Sequence, residues 1–439
     1  MKKIINICLS FAIVLVSITG LIQPEKAHAA TGEGQEIVFW HGMGGNTGVA
    51  LEKLVKKFNE ENKQNIKVKA EYQGSYDDTI TKLRSASLGN MEADLVQIYD
   101  IGTRYMIDSG LVKPFQEFID ADNYDISQIE PNIAAYYSID GKLISMPFNS
   151  STPILYYNKD VFEKAGIKEA PKSLKEMADL KEPLEKAGVK MPISLQVYGW
   201  FVEQLIAKEG KQFVNNNNGR EDYATEVAFN DGDTLVNILK EWKALEDAGV
   251  APNVGREGGQ PEFVSGTSAM TIGSTANLSS ILSEVGGKFE VGTAYFPSVS
   301  GNETGGVSIG GASLWAMDNQ DEEKAAAVWE FTKFLIAPEN QAERNKETGY
   351  FPITTATHDE PVFKENIESH PQFKTAIDQL HDSTPESQGA LLSVFPEARQ
   401  IVESEIENML NGGTTPEEAA KKITKQINSA IEQYNLVNY

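Results

Sequence analysis

The order of apolar patterns in the first hundred residues limits the fold more than any other feature of this 439-residue chain. A short apolar run at 37–40 reads as a buried strand. Leu51, Leu54, Val55 and Phe58 then recur at i, i+3, i+4 and i+7, the stripe of a helix that covers a sheet. Ile66, Val68, Ala70 and Tyr72 alternate with Lys67, Lys69 and Glu71, which predicts a half-buried strand. A further apolar strand at 95–99 follows a helical stretch that starts near Asp77. Strand, helix, strand, helix, strand implies a parallel sheet with right-handed crossovers, and hence an α/β fold.

The pattern resumes after Asn149 with a strand at 154–157 and a mostly helical region to about Gly249. Short strands are predicted at 269–272, 291–295 and 307–315, followed by a helix over 322–335. Near the C-terminus Thr415, Pro416 and Glu418 form a helix-start signature, and Ile423, Ile427, Ile431 and Tyr434 mark that helix's buried face. The four asparagines at 215–218 read as a surface loop.

Residues 1–29 have the form of a secretory signal peptide. Lys2 and Lys3 precede an apolar stretch at 4–21, and Ala27-His28-Ala29 gives a small-x-small cleavage site. Ser10, Ser17, Thr19 and Gly20 interrupt the run, which argues against a transmembrane anchor. The only cysteine, Cys8, lies inside this leader and lacks the small residues expected ahead of a lipidation site, so the expected product has no disulfide and is diffusible or wall-associated. About 410 residues remain, enough for two lobes. The formal charge of −24 becomes two units more negative when Lys2, Lys3, Lys26 and Glu25 are lost. Such a surface repels nucleic acid and anionic membranes, and an anionic ligand would need local positive charge against the global field.

The glycines after the first strand, at 42, 44, 45 and 48, suggest a phosphate cradle, but neither the dinucleotide fingerprint nor a Gly-Lys-Ser/Thr ending is present. They read instead as a tight turn at the C-terminal end of a parallel strand, the end where open α/β sheets bind ligands. Four histidines remain beyond the leader, His41, His358, His370 and His381, and none has zinc-ligand spacing with another. Gly306 to Gly310 matches the letters of a nucleophile elbow around Ser308, yet the strand-like "GASLWAM" follows where a helix is required. Neither an enzyme nor a cofactor is expected.

Three blocks carry a resemblance. "FWHGM" stands near the start of the expected mature chain, "PFNSSTPILYYNKDVFEKAGI" spans 147–167, and "GGASLWAM" with "KETGYFPIT" falls within 310–354. The chain resembles the extracellular solute-binding proteins of ABC importers, the maltose-binding-like family, and within it the group that takes sn-glycerol 3-phosphate. The resemblance implies a two-lobed periplasmic-binding-protein-like fold with hinge strands and a ligand cleft. Lobe one would be 31–149 plus 312–352 and lobe two 153–307 plus 355–439, with crossings near 149–153, 308–312 and 351–353. It also implies a monomer that meets the importer's membrane subunits.

The family's ligand contacts transfer where the local motif matches. Tyr76 resembles a tyrosine that touches the ligand, and Asp100 stands where relatives carry a glutamate for the glycerol hydroxyls. Ser151 resembles a phosphate donor, Trp200 an aromatic wall and Arg399 the arginine that pairs with the phosphate. Ser274, Gly311 and Tyr350 match further contacts. Arg399→Ala is then expected to remove most affinity and leave the fold intact. Relatives carry a second tryptophan where this chain has Val197, which would make the pocket roomier and suit a bulkier glycerophosphodiester such as glycerophosphocholine, with Trp200, Tyr76 and Tyr350 offering ring faces to the choline.

Each residue also has a plainer reading. Trp200 and Tyr350 could be core aromatics, Ser151 and Gly311 hinge residues, Asp100 a helix cap, and Arg399 a surface ion pair beside Glu397 and Glu403. Two functional alternatives stay open, an oligosaccharide-binding protein of the same family and a secreted hydrolase.

Overall fold

Twelve strands among the described residues fall into two principal sheets and one small hairpin. They are β1 Glu36–His41, β2 Lys67–Tyr72, β3 Leu95–Tyr99, β4 Val112–Lys113, β5 Ser138–Ile139, β6 Lys142–Leu143, β7 Met146–Ser151, β8 Pro153–Asn158, β9 Met191–Ser194, β10 Ser268–Ser274, β11 Val291–Tyr295 and β12 Gly310–Met317. This computed structural model describes residues 30–89, 91–230, 233–301, 305–383 and 387–439. The leader expected at 1–29, with Cys8, lies outside them. Residues 31–439 form one unit, and no helix among the described residues is long and apolar enough to cross a membrane.

The first sheet runs β2-β1-β3-β12-β4, with β7 also paired to β12. β1 is parallel to β2 and β3, as the alternation of patterns predicts, whereas β12 runs antiparallel to β3. The helix Gly45–Glu61 covers this sheet through Leu51, Leu54, Val55 and Phe58, all buried. Each such side chain contributes about 1.5–3 kcal/mol. Tyr72, placed on the buried face by its alternation, is 57% exposed because β2 is an edge strand and its end passes the covering helix. The second sheet runs β11-β8-β10-β9, with β8 antiparallel to both neighbours and β9 parallel to β10.

The chain leaves the first sheet at Ser151 and enters the second at Pro153, so Thr152 alone separates β7 from β8. It is back in the first sheet at Gly310. Near the expected third crossing, Phe351 N–H donates to the Ser150 carbonyl and Glu130 N–H to that of Ile353. The helix Pro361–Ser369 packs on Pro338–Thr348, and the helix Gln372–Asp382 packs on β11.

Five strands escape the apolar pattern, three of them, β4, β5 and β6, because they have only two residues each. β7 (MPFNSS) is buried at every position yet half polar, and its Asn149 finds partners on neighbouring elements: it accepts from Gln97 at 2.7 Å and donates to the Tyr76 hydroxyl at 2.8 Å. β9 has four residues and a proline, too short for a period to be visible. At 215–218 the chain forms a left-handed turn in which Asn216, Asn217 and Asn218 have φ of 54°, 53° and 55°. Asn218 is buried there and accepts from the N–H groups of Phe213 and Val214. The C-terminal helix Pro416–Asn438 starts with the anticipated reciprocal cap between Thr415 and Glu418, at 3.2 and 3.1 Å. Its buried face ends at Ile431, and Tyr434 is only half-buried because its hydroxyl reaches the Asp108 carboxylate.

The glycine-rich segment is a strand-to-helix turn, with Gly45 at φ 53° opening the helix. His41, at the end of β1, is 4% exposed and accepts the Met43 N–H at Nδ1 over 3.3 Å. Burial holds its pKa down at about 4. The folded protein therefore keeps His41 neutral while the unfolded chain takes up a proton near the ordinary value of 6.5. The resulting stability is complete above pH 6.5 and is lost as pH falls toward 4, by about 2–3 kcal/mol. Thermal unfolding should show a shallower loss of Tm between pH 7 and 4.5 for His41→Asn than for the parent; parallel curves would rule this out.

Candidate functional site

The strand ends of both sheets converge on one cavity. In the first sheet, Asp100 follows the C-terminal end of β3, Tyr76 follows β2, Ser151 ends β7, and Gly311 lies at the start of antiparallel β12, opposite that same edge. In the second sheet, Ser274 ends β10, and Gln196, Tyr198 and Trp200 follow β9. Tyr350 follows the helix Pro338–Thr348, and Arg399 rises from the helix Phe395–Leu410, which packs on Gly199–Lys208. All eight residues singled out in the sequence, Tyr76, Asp100, Ser151, Trp200, Ser274, Gly311, Tyr350 and Arg399, line this space of about 390 Å³.

Arg399 is 7% exposed, which removes the surface-ion-pair reading. Its partners are not the helix neighbours Glu397 and Glu403. Nε and Nη2 donate to the two carboxylate oxygens of Glu203 at 2.7 and 2.8 Å, and Nη2 stands 3.5 Å from Asp100 Oδ2. Asp100 comes from the first sheet and Arg399 from a helix packed with the second, so this last contact crosses the cleft. Burial pushes the Asp100 and Glu203 carboxyls up, with Arg399 opposing the shift in each case. Burial alone would lower Arg399, but Glu203, Tyr198 and Asp100 more than reverse it, and the guanidinium stays charged.

The rest of the lining is aromatic and hydroxylic. Tyr76 stacks on Tyr99 at 5.4 Å and its hydroxyl sits 3.4 Å from that of Tyr350. Tyr198 and Trp200 lie 6.0 Å apart, and the buried Trp200 Nε1 has no hydrogen-bond partner among the described residues. Ser274 accepts from Ala276 N–H at 3.2 Å, which leaves its own hydroxyl proton free to donate.

A family model described as "Bacterial extracellular solute-binding protein" matches residues 53–375. The sn-glycerol-3-phosphate-binding periplasmic protein of Escherichia coli strain K12 is 33% identical over 94% of this chain and 96% of its own length. The chain belongs to the bacterial extracellular solute-binding protein family. The corresponding protein of Salmonella typhimurium is 34% identical over 91% of this chain and 93% of its own. Among solved structures, the Mycobacterium tuberculosis protein in complex with glycerophosphocholine superposes with a TM-score of 0.79 at 21% identity, covering 91% of this chain and 99% of that one. The acarbose-binding GacH receptor of Streptomyces glaucescens gives 0.76 at 20%, covering 91% and 98%. These likenesses establish the two-lobed α/β fold.

As an extracellular solute-binding protein, the chain works outside the cytoplasm, takes a small molecule and serves an ABC importer. Its site contains groups that sequence reasoning missed. Glu203 stands three residues after Trp200 on the same helix, and nothing local shows that it turns to Arg399. Arg344 is 2% exposed behind Tyr350, its guanidinium 5.1 Å from that ring. One nitrogen donates to the Phe148 carbonyl at 2.5 Å, while Nε and Nη2 have no partner among the described residues. Burial brings its pKa down to about 10, so it is still a cation at neutral pH. Val197, on which the expected roomier pocket rests, is buried in the core and does not line the cavity, whereas Tyr198 beside it puts a ring there, with Arg256 stacked 4.0 Å from it. Ser308, of the apparent nucleophile elbow, exchanges hydrogen bonds with Gln204 at 2.9 Å in extended chain before β12.

Proposed function

We propose that this solute-binding protein captures glycerol 3-phosphate or a glycerophosphodiester such as glycerophosphocholine, closes its lobes on it and delivers it unaltered to the importer. The observation that carries this reading is the buried Arg399 at the meeting of the lobes, which shares its cavity with the hydroxyl-bearing residues Ser151, Ser274 and Tyr350. A guanidinium with hydroxyl donors around it is a site for a phosphoryl group. The 33–34% identical relatives are named for glycerol 3-phosphate.

In this reading Asp100 takes the glycerol hydroxyls, and Tyr76, Tyr198, Trp200 and Tyr350 form the walls. Those rings would also hold a choline head group. Closure swings the lobes, 31–149 with 312–352 and 153–307 with 355–439, about their connecting segments. The ligand drives it because groups from both lobes reach the phosphoryl group only in the closed form. Catalysis plays no part: the protein acts as a monomer, without nucleic acid.

Calorimetric titration with glycerol 3-phosphate, glycerophosphocholine and maltotriose tests this directly. One or both phosphorylated ligands should bind and be recovered intact. Binding of maltotriose alone would establish the oligosaccharide reading instead, and turnover of glycerophosphocholine would establish a hydrolase.

A further inference from the structure

Glu203 holds Arg399 through two hydrogen bonds. Its two oxygens occupy the Nε and Nη2 positions of Arg399, the side of the fork best suited to bidentate anion binding. The two N–H groups of Nη1 and the second N–H of Nη2, which stands 3.5 Å from Asp100, are left for a ligand. Glu203 does not line the ligand cavity; it faces a second cavity of about 220 Å³ on the other side of Asp100, bordered by Tyr136, Phe213 and Phe395. The carboxylate thus grips the arginine from behind.

Besides Arg399 and Asp100, the cavity lining carries the charged residues Arg256 and Glu257, one of each sign. Arg399, Glu203 and Asp100 have side chains between 7% and 10% exposed, and with both acids ionised they sum to one negative charge. Glu403 lies further out, accepting the Gly199 N–H at 2.9 Å and facing Arg256 at 3.5 Å. Arg344 contributes a cation from the opposite wall but is set back behind Tyr350. A dianionic phosphomonoester must place its second charge against a guanidinium already outnumbered by carboxylates, whereas a phosphodiester carries one charge only. In a buried, low-dielectric site that difference is large.

We infer that Glu203 is a specificity-determining residue: by holding and partly neutralising Arg399, it makes the cleft select glycerophosphodiesters, whose phosphate carries one negative charge, over dianionic glycerol 3-phosphate. This rests on the phosphoryl-ligand reading above and deepens it. Glu203 acts through Arg399 and is therefore a positioning residue.

The test measures affinities at pH 8 for glycerol 3-phosphate, its methyl diester and glycerophosphocholine, in the parent protein, Glu203→Gln and Glu203→Asp. The parent should bind both diesters more tightly than the monoester. Glu203→Gln, which keeps shape but drops the charge, should shift the monoester-to-diester ratio toward the monoester by about tenfold or more. Glu203→Asp should keep the parent's preference. A merely structural role would weaken all three ligands together and leave the ratio in place, and that result overturns the inference, as does a ratio that moves the other way or a parent that prefers the monoester. If the parent binds none of the three, the phosphoryl-ligand reading itself fails, which is a separate outcome.

Discussion

Arg399→Ala is expected to cost about 2–5 kcal/mol of affinity for the phosphoryl ligand, thirtyfold to several thousandfold in Kd. The loss has two parts. The ligand loses its only guanidinium contact in the cavity lining apart from Arg256, which is half-exposed and stacked on Tyr198. It also meets Asp100 and Glu203 without their counter-charge, so the variant opposes the anion. Stability should fall as well, contrary to what the sequence alone suggests for this residue. Removing one member of a buried ionic cluster costs about 3–5 kcal/mol, and the two acids recover part of that by taking up protons. Calorimetry well below the variant's Tm separates the two effects. Affinity equal to the parent's would remove Arg399 from the site. Arg399→Lys keeps the charge but cannot make the paired contacts to Glu203, and should fall between parent and alanine.

The second large effect is expected at Gly311, where backbone rather than side chain decides. Its φ of 97° is a conformation that residues with a Cβ rarely adopt. A Cβ there would lie 1.9 Å from the Asn149 carbonyl oxygen of the paired strand β7. Neither group can retreat, because β7 and β12 are hydrogen-bonded where the chain passes between the lobes and the register shifts at Ala312 and Ser313. Gly311→Ala should destabilise by about 2–5 kcal/mol, seen as a lower urea midpoint with an unchanged slope. Ligand affinity should drop too, since Ser151 ends the strand that must move. Gly287→Ala is the control: φ is 78° but no atom lies within 4 Å of the added Cβ, so only the strain of about 1–2 kcal/mol remains. Equal midpoints for both alanine variants would mean that the close approach to Asn149 does not constrain the hinge.

These two positions show how far local reading goes. Gly311 was recognisable from the "GGASLWAM" block, but the reason for glycine is a strand more than 150 residues earlier. Arg399 was likewise recognisable from the resemblance, while the partner that holds its orientation lies 196 residues away. The same holds for Val197 and Tyr198. Neighbours in sequence, they differ in that one turns into the core and the other into the cavity, and the distinction depends on how the segment after β9 meets the second sheet.

By itself the sequence determined the alternation of strand and helix, the reciprocal cap at Thr415 and Glu418, the two-lobed α/β class and the eight residues that meet in the cleft. The first two are written in local periodicity and capping residues, and the lobes and the eight residues in what the resemblance to a known family implies. Tertiary structure alone decided that Glu203 binds Arg399, that Arg344 stands uncompensated behind Tyr350, and that polar β7 is buried. Those outcomes depend on which charges share a low-dielectric space, and packing brings such groups together without leaving a trace in the spacing of residues along the chain.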